Sequence, residues 1–165
     1  MIQVYTGEGK GKTTASVGLA VRASAHYPVL FLQFLKDGSS SEVGTLEKID
    51  QITVKHFGSG SRIYPGKANV REQELAKEAL EWLSQNKQNY QVVILDEAVT
   101  AVQLGILDEG GLFQAIQDED TSREYILTGH GASKNLIAAA DLVTEMKPIK
   151  HYYDKGVAAR RGIEY

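Results

Sequence analysis

There is no cysteine in these 165 residues. That excludes a disulfide framework, thiolate metal sites and cysteine nucleophiles, and it fits a cytoplasmic setting. No apolar run approaches the ~20 residues that a membrane-spanning helix needs. The N-terminus runs straight into a strand-like segment, so no signal peptide is expected. An excess of positive charge is missing too, since the net charge is −3. The chain therefore has no electrostatic footprint for nucleic acid or an acidic membrane, and any anion site must be local. The histidines at 26, 56, 130 and 151 lack zinc-like spacing. Internal repeats and low-complexity tracts are absent as well.

What is present is ordinary for a globular protein, with 42% hydrophobic and 24% charged residues. The length suits one domain, 1–165, and is short for two. Six short apolar runs alternate with helical patterns. Gln3-Val4-Tyr5, Val29-Leu30-Phe31-Leu32 and Val92-Val93-Ile94-Leu95 are the clearest strands, and the last two read as buried on both faces. Ile52-Thr53-Val54, Tyr125-Ile126-Leu127 and Leu142-Val143 are weaker ones. Helices are expected over 12–25, 69–85, 112–117 and 135–140. In the second of these Ala76, Ala79, Leu80 and Leu83 share one face. Asn69 can cap it, with Glu72 completing a capping-box-like start. Strands alternating with helices predict βαβ units, hence a parallel sheet with right-handed crossovers. Segments 37–41 and 58–67 read as loops.

The chemistry begins at Thr6-Gly7-Glu8-Gly9-Lys10-Gly11-Lys12-Thr13-Thr14. The segment follows a strand and opens a helix, as a phosphate-binding loop must. Glycines let backbone N–H groups close on an anion, and the helix N-terminus adds positive potential. Lys12 adds a full charge and is expected on the loop surface, while Thr13 offers a hydroxyl to Mg²⁺. The fit to GxxxxGK[ST] is incomplete, because Thr6 stands where the first glycine belongs. A second acidic site is expected where the apolar strand 92–95 ends in Asp96 and Glu97. A strand-end acid beside such a loop holds Mg²⁺ directly or through water. Thr128-Gly129-His130-Gly131 follows another strand and reads as a tight turn at the ligand edge, or as a plain strand-to-helix connector.

These segments together resemble the P-loop-type ATP:corrinoid adenosyltransferases. The resemblance is carried by 6–15, by Gln33-Phe34-Leu35-Lys36, by Leu95-Asp96-Glu97 and by Thr128-Gly129-x-Gly131. It continues through Lys147-Pro148-Ile149-Lys150-His151, Tyr153-Asp154-x-Gly156 and Ala159-x-Arg161-Gly162-Ile163-Glu164-Tyr165. The stretch from about 55 to 90 matches poorly.

The resemblance implies a single-domain RecA-like α/β fold with a mostly parallel sheet of about six strands and helices on both faces. It implies transfer of the 5′-deoxyadenosyl group of ATP to the cobalt(I) of a reduced corrinoid, with inorganic triphosphate leaving. In that family ATP lies reversed in the loop, and Thr6 fits this unusual loop. By resemblance Gly7, Glu8, Gly9, Lys10, Gly11, Lys12, Thr13 and Thr14 hold ATP, with Arg22 towards the nucleoside end. Thr13 and Glu97 are the first choices for Mg²⁺, and Asp96 the second. Lys12, Thr13 and Glu97 are the expected catalytic set. Ile63 and Tyr64 are the bulky candidates for the corrinoid side. A flavoprotein reductant and a homodimer are also implied.

The chain departs from the family pattern at His130, where arginine is usual, and at Asp37, where glycine is usual. The aromatic pair of the corrinoid side is not recognisable around 61–64. The alternatives are an ATPase or small-molecule kinase on the same loop, and a corrinoid- or nucleotide-binding protein without turnover.

Overall fold

Six consecutive residues, Val29–Phe34, are buried, the pattern of a strand covered on both faces. The computed structural model describes residues 1–61, 63, 69–118 and 122–164. It places this run as β2 in a sheet whose other strands are β1 (Ile2–Thr6), β3 (Ile52–Phe57), β4 (Val92–Asp96), β5 (Glu124–Thr128) and β6 (Leu142–Glu145). Their order across the six-stranded sheet is β3-β2-β4-β5-β1-β6. Every pairing is parallel, so the expected mostly parallel sheet is wholly so. Parallel neighbours need crossovers, and helices supply them.

The helices are α1 (Lys12–Ala23), α2 (Val43–Leu46), α3 (Val70–Asn86), α4 (Ala98–Gln103), α5 (Glu109–Ile116) and α6 (Lys134–Ala139). Alternate strand residues feed two cores. Val29, Phe31, Ile94 and Ile126 pack with Ala20 of α1 and Leu46 of α2. Leu30, Leu32, Val93, Leu95 and Leu127 pack with Ala76, Ala79 and Leu83 of α3 and with α4, α5 and α6. Each large side chain so buried contributes roughly 1.5–3 kcal/mol. Residues of β1 to β5 thus feed one core or the other, whereas β6 at the sheet edge is exposed along its length. Segments as short as α2 and α4 hold too few turns to show a 3.6-residue period, and the sequence does not announce them.

The start of α3 differs from the expected capping box. Asn69 does cap it, accepting the Glu72 N–H at 3.2 Å. The Glu72 carboxylate does not return to Asn69. It is buried and accepts the Ser59 N–H at 2.9 Å, because the loop after β3 crosses this helix end and brings an otherwise unpaired donor. Since all strands run the same way, their carboxyl ends lie along one edge, where ligands of such sheets bind.

Candidate functional site

The glycine loop leaves β1 at that edge and enters α1. Gly7 (φ 101°) and Gly11 (φ 119°) adopt left-handed conformations that side chains resist. Gly9 is fixed by a close approach instead: its N–H donates to the Met146 carbonyl at 2.7 Å, and a Cβ there would stand 2.7 Å from that oxygen. Thr6 is a buried part of the same turn, and its hydroxyl accepts the Ala132 N–H at 3.3 Å. The side chain that breaks the usual pattern therefore ties the loop to the segment after β5. No side chain caps α1, so its first N–H groups point to the loop mouth.

Lys12 is not on the surface as expected. It is 7% exposed, with Nζ donating to the carbonyls of Gly7 and Gly9, each at 2.8 Å. The loop curls around the ammonium because its glycines leave those carbonyls bare. Burial lowers the Lys12 pKa, opposed by the charges of Glu97 and Glu8.

Asp96, the last residue of β4, is fully buried and fully bonded. Its Oδ1 accepts the hydroxyls of Thr13 at 2.9 Å and Thr128 at 2.7 Å. Its Oδ2 accepts Gln33 Nε2 at 3.2 Å and Lys36 Nζ at 2.7 Å. Glu42 stands behind, 3.6 Å from the Lys36 ammonium and accepting Gln33 Nε2 at 3.1 Å. Burial works to lower the Lys36 pKa, but the charge and hydrogen bond of Asp96, then Glu42 and Glu97, raise it overall.

Glu97 follows in a left-handed conformation (φ 61°), rare for a residue with a side chain. Its N–H donates to the Thr128 hydroxyl at 3.0 Å and its Oε2 accepts the Thr100 hydroxyl at 2.5 Å. The kink turns two adjacent acids to different tasks. Asp96 points into the protein and Glu97 lines the cavity.

That cavity, about 780 Å³, opens along α1. Thr13, Thr14, Lys36 and Glu97 make its polar end, and Val17, Val21 and Leu46 its apolar wall. The C-terminal residues Gly162, Ile163 and Glu164 close one side. Lys10 ties them to the loop, its ammonium donating to the Ile163 carbonyl at 2.7 Å.

The other expected site residues scatter. Glu8 is exposed and faces His130 Nδ1 at 3.3 Å, so the position where arginine is usual meets the loop here. Arg22 is exposed and does not line the cavity; one helical step past Val21, its charge is felt at Tyr5 instead. Ile63 packs against the larger core. Tyr64 lies outside the described residues.

Gln33, Lys36, Glu42, Thr100 and Thr128 form much of this site, yet the residues alone gave them no role. Two signals were readable. Gln33 interrupts an otherwise apolar strand, and Thr128 ends one, where a buried polar group demands a partner.

The donor set fits Mg²⁺. Thr13 gives its proton to Asp96, which turns the hydroxyl lone pairs outward, and Glu97 presents a carboxylate to the same cavity. Among the described residues no group of three or more His, Asp or Glu side chains is placed to hold a metal ion unaided. Mg²⁺ takes few protein ligands and keeps water and phosphate oxygens.

The tail across the cavity is held by Glu164. Its Oε1 accepts the Tyr152 hydroxyl at 2.5 Å, and its Oε2 accepts the Arg160 N–H at 2.7 Å. The Arg160 guanidinium lies 5.0 Å from the Tyr152 ring centroid. Hydrogen bonds from Arg160 and then Tyr152 lower the Glu164 pKa from 4.5 to about 2. A depressed acid stabilises the fold above its unfolded pKa, and that contribution is lost as pH falls through the folded one. The tail should hold down to about pH 4.5 and loosen towards pH 2. Carboxyl-carbon NMR titration should give Glu164 a midpoint near 2. An ordinary midpoint would show that this hub does not form in solution.

Residues 1–165 match the family described as ATP:corrinoid adenosyltransferase BtuR/CobO/CobP. A corrinoid adenosyltransferase of Sinorhizobium sp is 32% identical over 177 residues, covering 100% of this chain and 80% of its own length. The corrinoid adenosyltransferase of Escherichia coli (strain K12) is 31% identical over 170 residues, covering 100% and 85%. The corrinoid adenosyltransferase CobA of Salmonella typhimurium (strain LT2) is 30% identical with the same coverage.

Proposed function

This chain belongs to the ATP:corrinoid adenosyltransferase family, and we propose how its residues divide the work of that reaction. The electron pair of cobalt(I) forms the bond to C5′ of ATP, the C5′–O bond breaks, and its electrons leave with triphosphate. The hard chemistry belongs to cobalt, so the protein's tasks are alignment and stabilisation of the departing charge.

The observation that carries the assignment is the shared mouth of the loop and the cavity. Thr13, Thr14 and Glu97 all open on it, beside an apolar wall. A ligand with an anionic part and an apolar part fits such a space. Loop N–H groups and Lys12 take the triphosphate. Lys12 exchanges two loop carbonyls for phosphate oxygens, an exchange that burial favours because a desolvated ammonium gains most from a full anionic partner. Thr13 and Glu97 would hold Mg²⁺, and Asp96 orients Thr13 from behind. When bound, the ion supplies charge neutralisation at the phosphates.

The corrinoid side rests on the resemblance, with Ile63 as an anchor of its loop on the core. A flavoprotein reductant, a second copy of the chain and a cytoplasmic location complete the reading. No helix among the described residues is long and apolar enough to cross a membrane. Continuity of the one sheet supports 1–165 as a single domain.

The test is anaerobic incubation with ATP, Mg²⁺ and chemically reduced cobalamin. A light-sensitive cobalt–carbon bond should appear together with one triphosphate per corrinoid. ADP and phosphate without an adenosylated corrinoid would mark a hydrolase or kinase and overturn the reading.

A further inference from the structure

We propose that Lys36 is a further catalytic residue, a cation held on Asp96 and Glu42 in the free enzyme that moves onto the triphosphate when the nucleotide binds. The inference rests on the function proposed above and adds a residue to its anion site.

The charge arrangement points to it. Lys12, the cation of the loop itself, is turned into the loop, whereas Lys36 and Lys10 are the lysines that line the cavity. Lys10 is engaged by the Ile163 carbonyl. Lys36 lies at the polar end, joined through the two oxygens of one carboxylate to Thr13: Lys36 Nζ on Oδ2, the Thr13 hydroxyl on Oδ1. A four-carbon stem with three rotatable donors can swing between partners that close together. Its side chain keeps 24% of its exposure, so the ammonium is not sealed.

The backbone fixes where that swing begins. Leu35 is left-handed (φ 61°), the only such non-glycine residue besides Glu97 among those described. Gly58 presses against the same turn: a Cβ on it would lie 2.2 Å from the Lys36 backbone nitrogen. Conformations of this kind persist where surrounding structure over-determines them, often at functional sites. The cluster is also one bond short, because Gln33 Oε1 is buried with no partner. Unpaired buried acceptors are uncommon, so this one marks the cluster as incompletely satisfied with Lys36 in its present place.

Asp96, Glu42 and Glu97 place three carboxylates beside the path of a polyanion. An ammonium placed between these carboxylates and the incoming phosphates offsets the repulsion between them, and Lys36 is the cation already held there. The bland alternative is that Lys36 neutralises Asp96 in every state and never touches substrate.

Calorimetric binding of inorganic triphosphate, with Mg²⁺, separates the two. Lys36→Met should weaken triphosphate binding roughly ten- to a hundredfold, the loss of one charge-assisted contact. It should leave 5′-deoxyadenosine binding unchanged, and Lys36→Arg should recover much of the loss. Folded Lys36→Met that binds triphosphate as the wild type does would overturn the inference. A wild-type protein that binds no triphosphate would instead sink the functional reading beneath it. Should Lys36→Met fail to fold, the wild type still decides. Triphosphate should protect the Lys36 amine from acylation at alkaline pH, read by peptide mass. Equal labelling with and without triphosphate would overturn the proposal.

Discussion

Lys12→Ala is expected to lose between roughly 10²- and 10⁴-fold in kcat/KM, the loss of two charge-assisted contacts of about 1.5–3 kcal/mol each. The fold should survive it. Lys12 is buried, but its partners are two carbonyls of its own loop and no other side chain. Deleting the ammonium leaves two loop carbonyls without that donor, a loss confined to one turn, so stability should fall by about 1–3 kcal/mol. Steady-state adenosylation and a chemical denaturation curve on the same preparation check both halves. Near-normal turnover would show that the glycine loop is not the catalytic anion site.

The largest loss of stability is expected at Asp96→Ala. The substitution removes four hydrogen bonds at once and leaves the Lys36 ammonium and Glu42 without their central carboxylate. Breaking a buried ion pair from one side costs about 3–5 kcal/mol, a large share of the roughly 5–15 kcal/mol that holds a domain together. Glu97→Gln should do the opposite. Its amide oxygen can still accept the Thr100 hydroxyl, so stability should change by no more than about 1 kcal/mol. Turnover should fall about tenfold or more, because a carboxylate facing the cavity is lost. Two adjacent acids would then separate cleanly, one by urea denaturation and one by kinetics. Equal losses of stability at both positions would show that the buried and cavity-facing roles are wrongly divided.

That division was not legible in the sequence. Asp96 and Glu97 are neighbours at the end of an apolar strand, and both could be named as acids near a phosphate loop. Strand alternation alone would send them to opposite faces of the sheet. What happens instead is a left-handed turn at Glu97, braced by the Thr128 hydroxyl from a strand 31 residues away in sequence. No local pattern encodes a partner at that distance. The same holds for Lys36, whose partners Asp96 and Glu42 meet only because β2 and β4 are paired in register, Gln33 beside Asp96. Arg22 shows the same dependence on tertiary placement. It sits on the helix that lines the cavity, yet one residue's rotation carries it off the wall that Val17 and Val21 form.

The sequence by itself determined the class of fold and the place of the glycine loop. Apolar runs of strand length between helical stretches leave a parallel sheet as the means of burying both faces, and the glycines with Gly11-Lys12-Thr13 set a glycine-rich turn between β1 and the helix after it, the loop proposed to take phosphate. These are local or periodic properties, and each residue carries its part of them alone. Tertiary structure decided everything that depends on two distant segments meeting. It curled Lys12 into its loop, buried Asp96 among Thr13, Thr128, Gln33 and Lys36, and brought the C-terminal tail against Lys10. A charge's role is set by what shares its low-dielectric surroundings, and those neighbours are chosen by packing rather than by position along the chain.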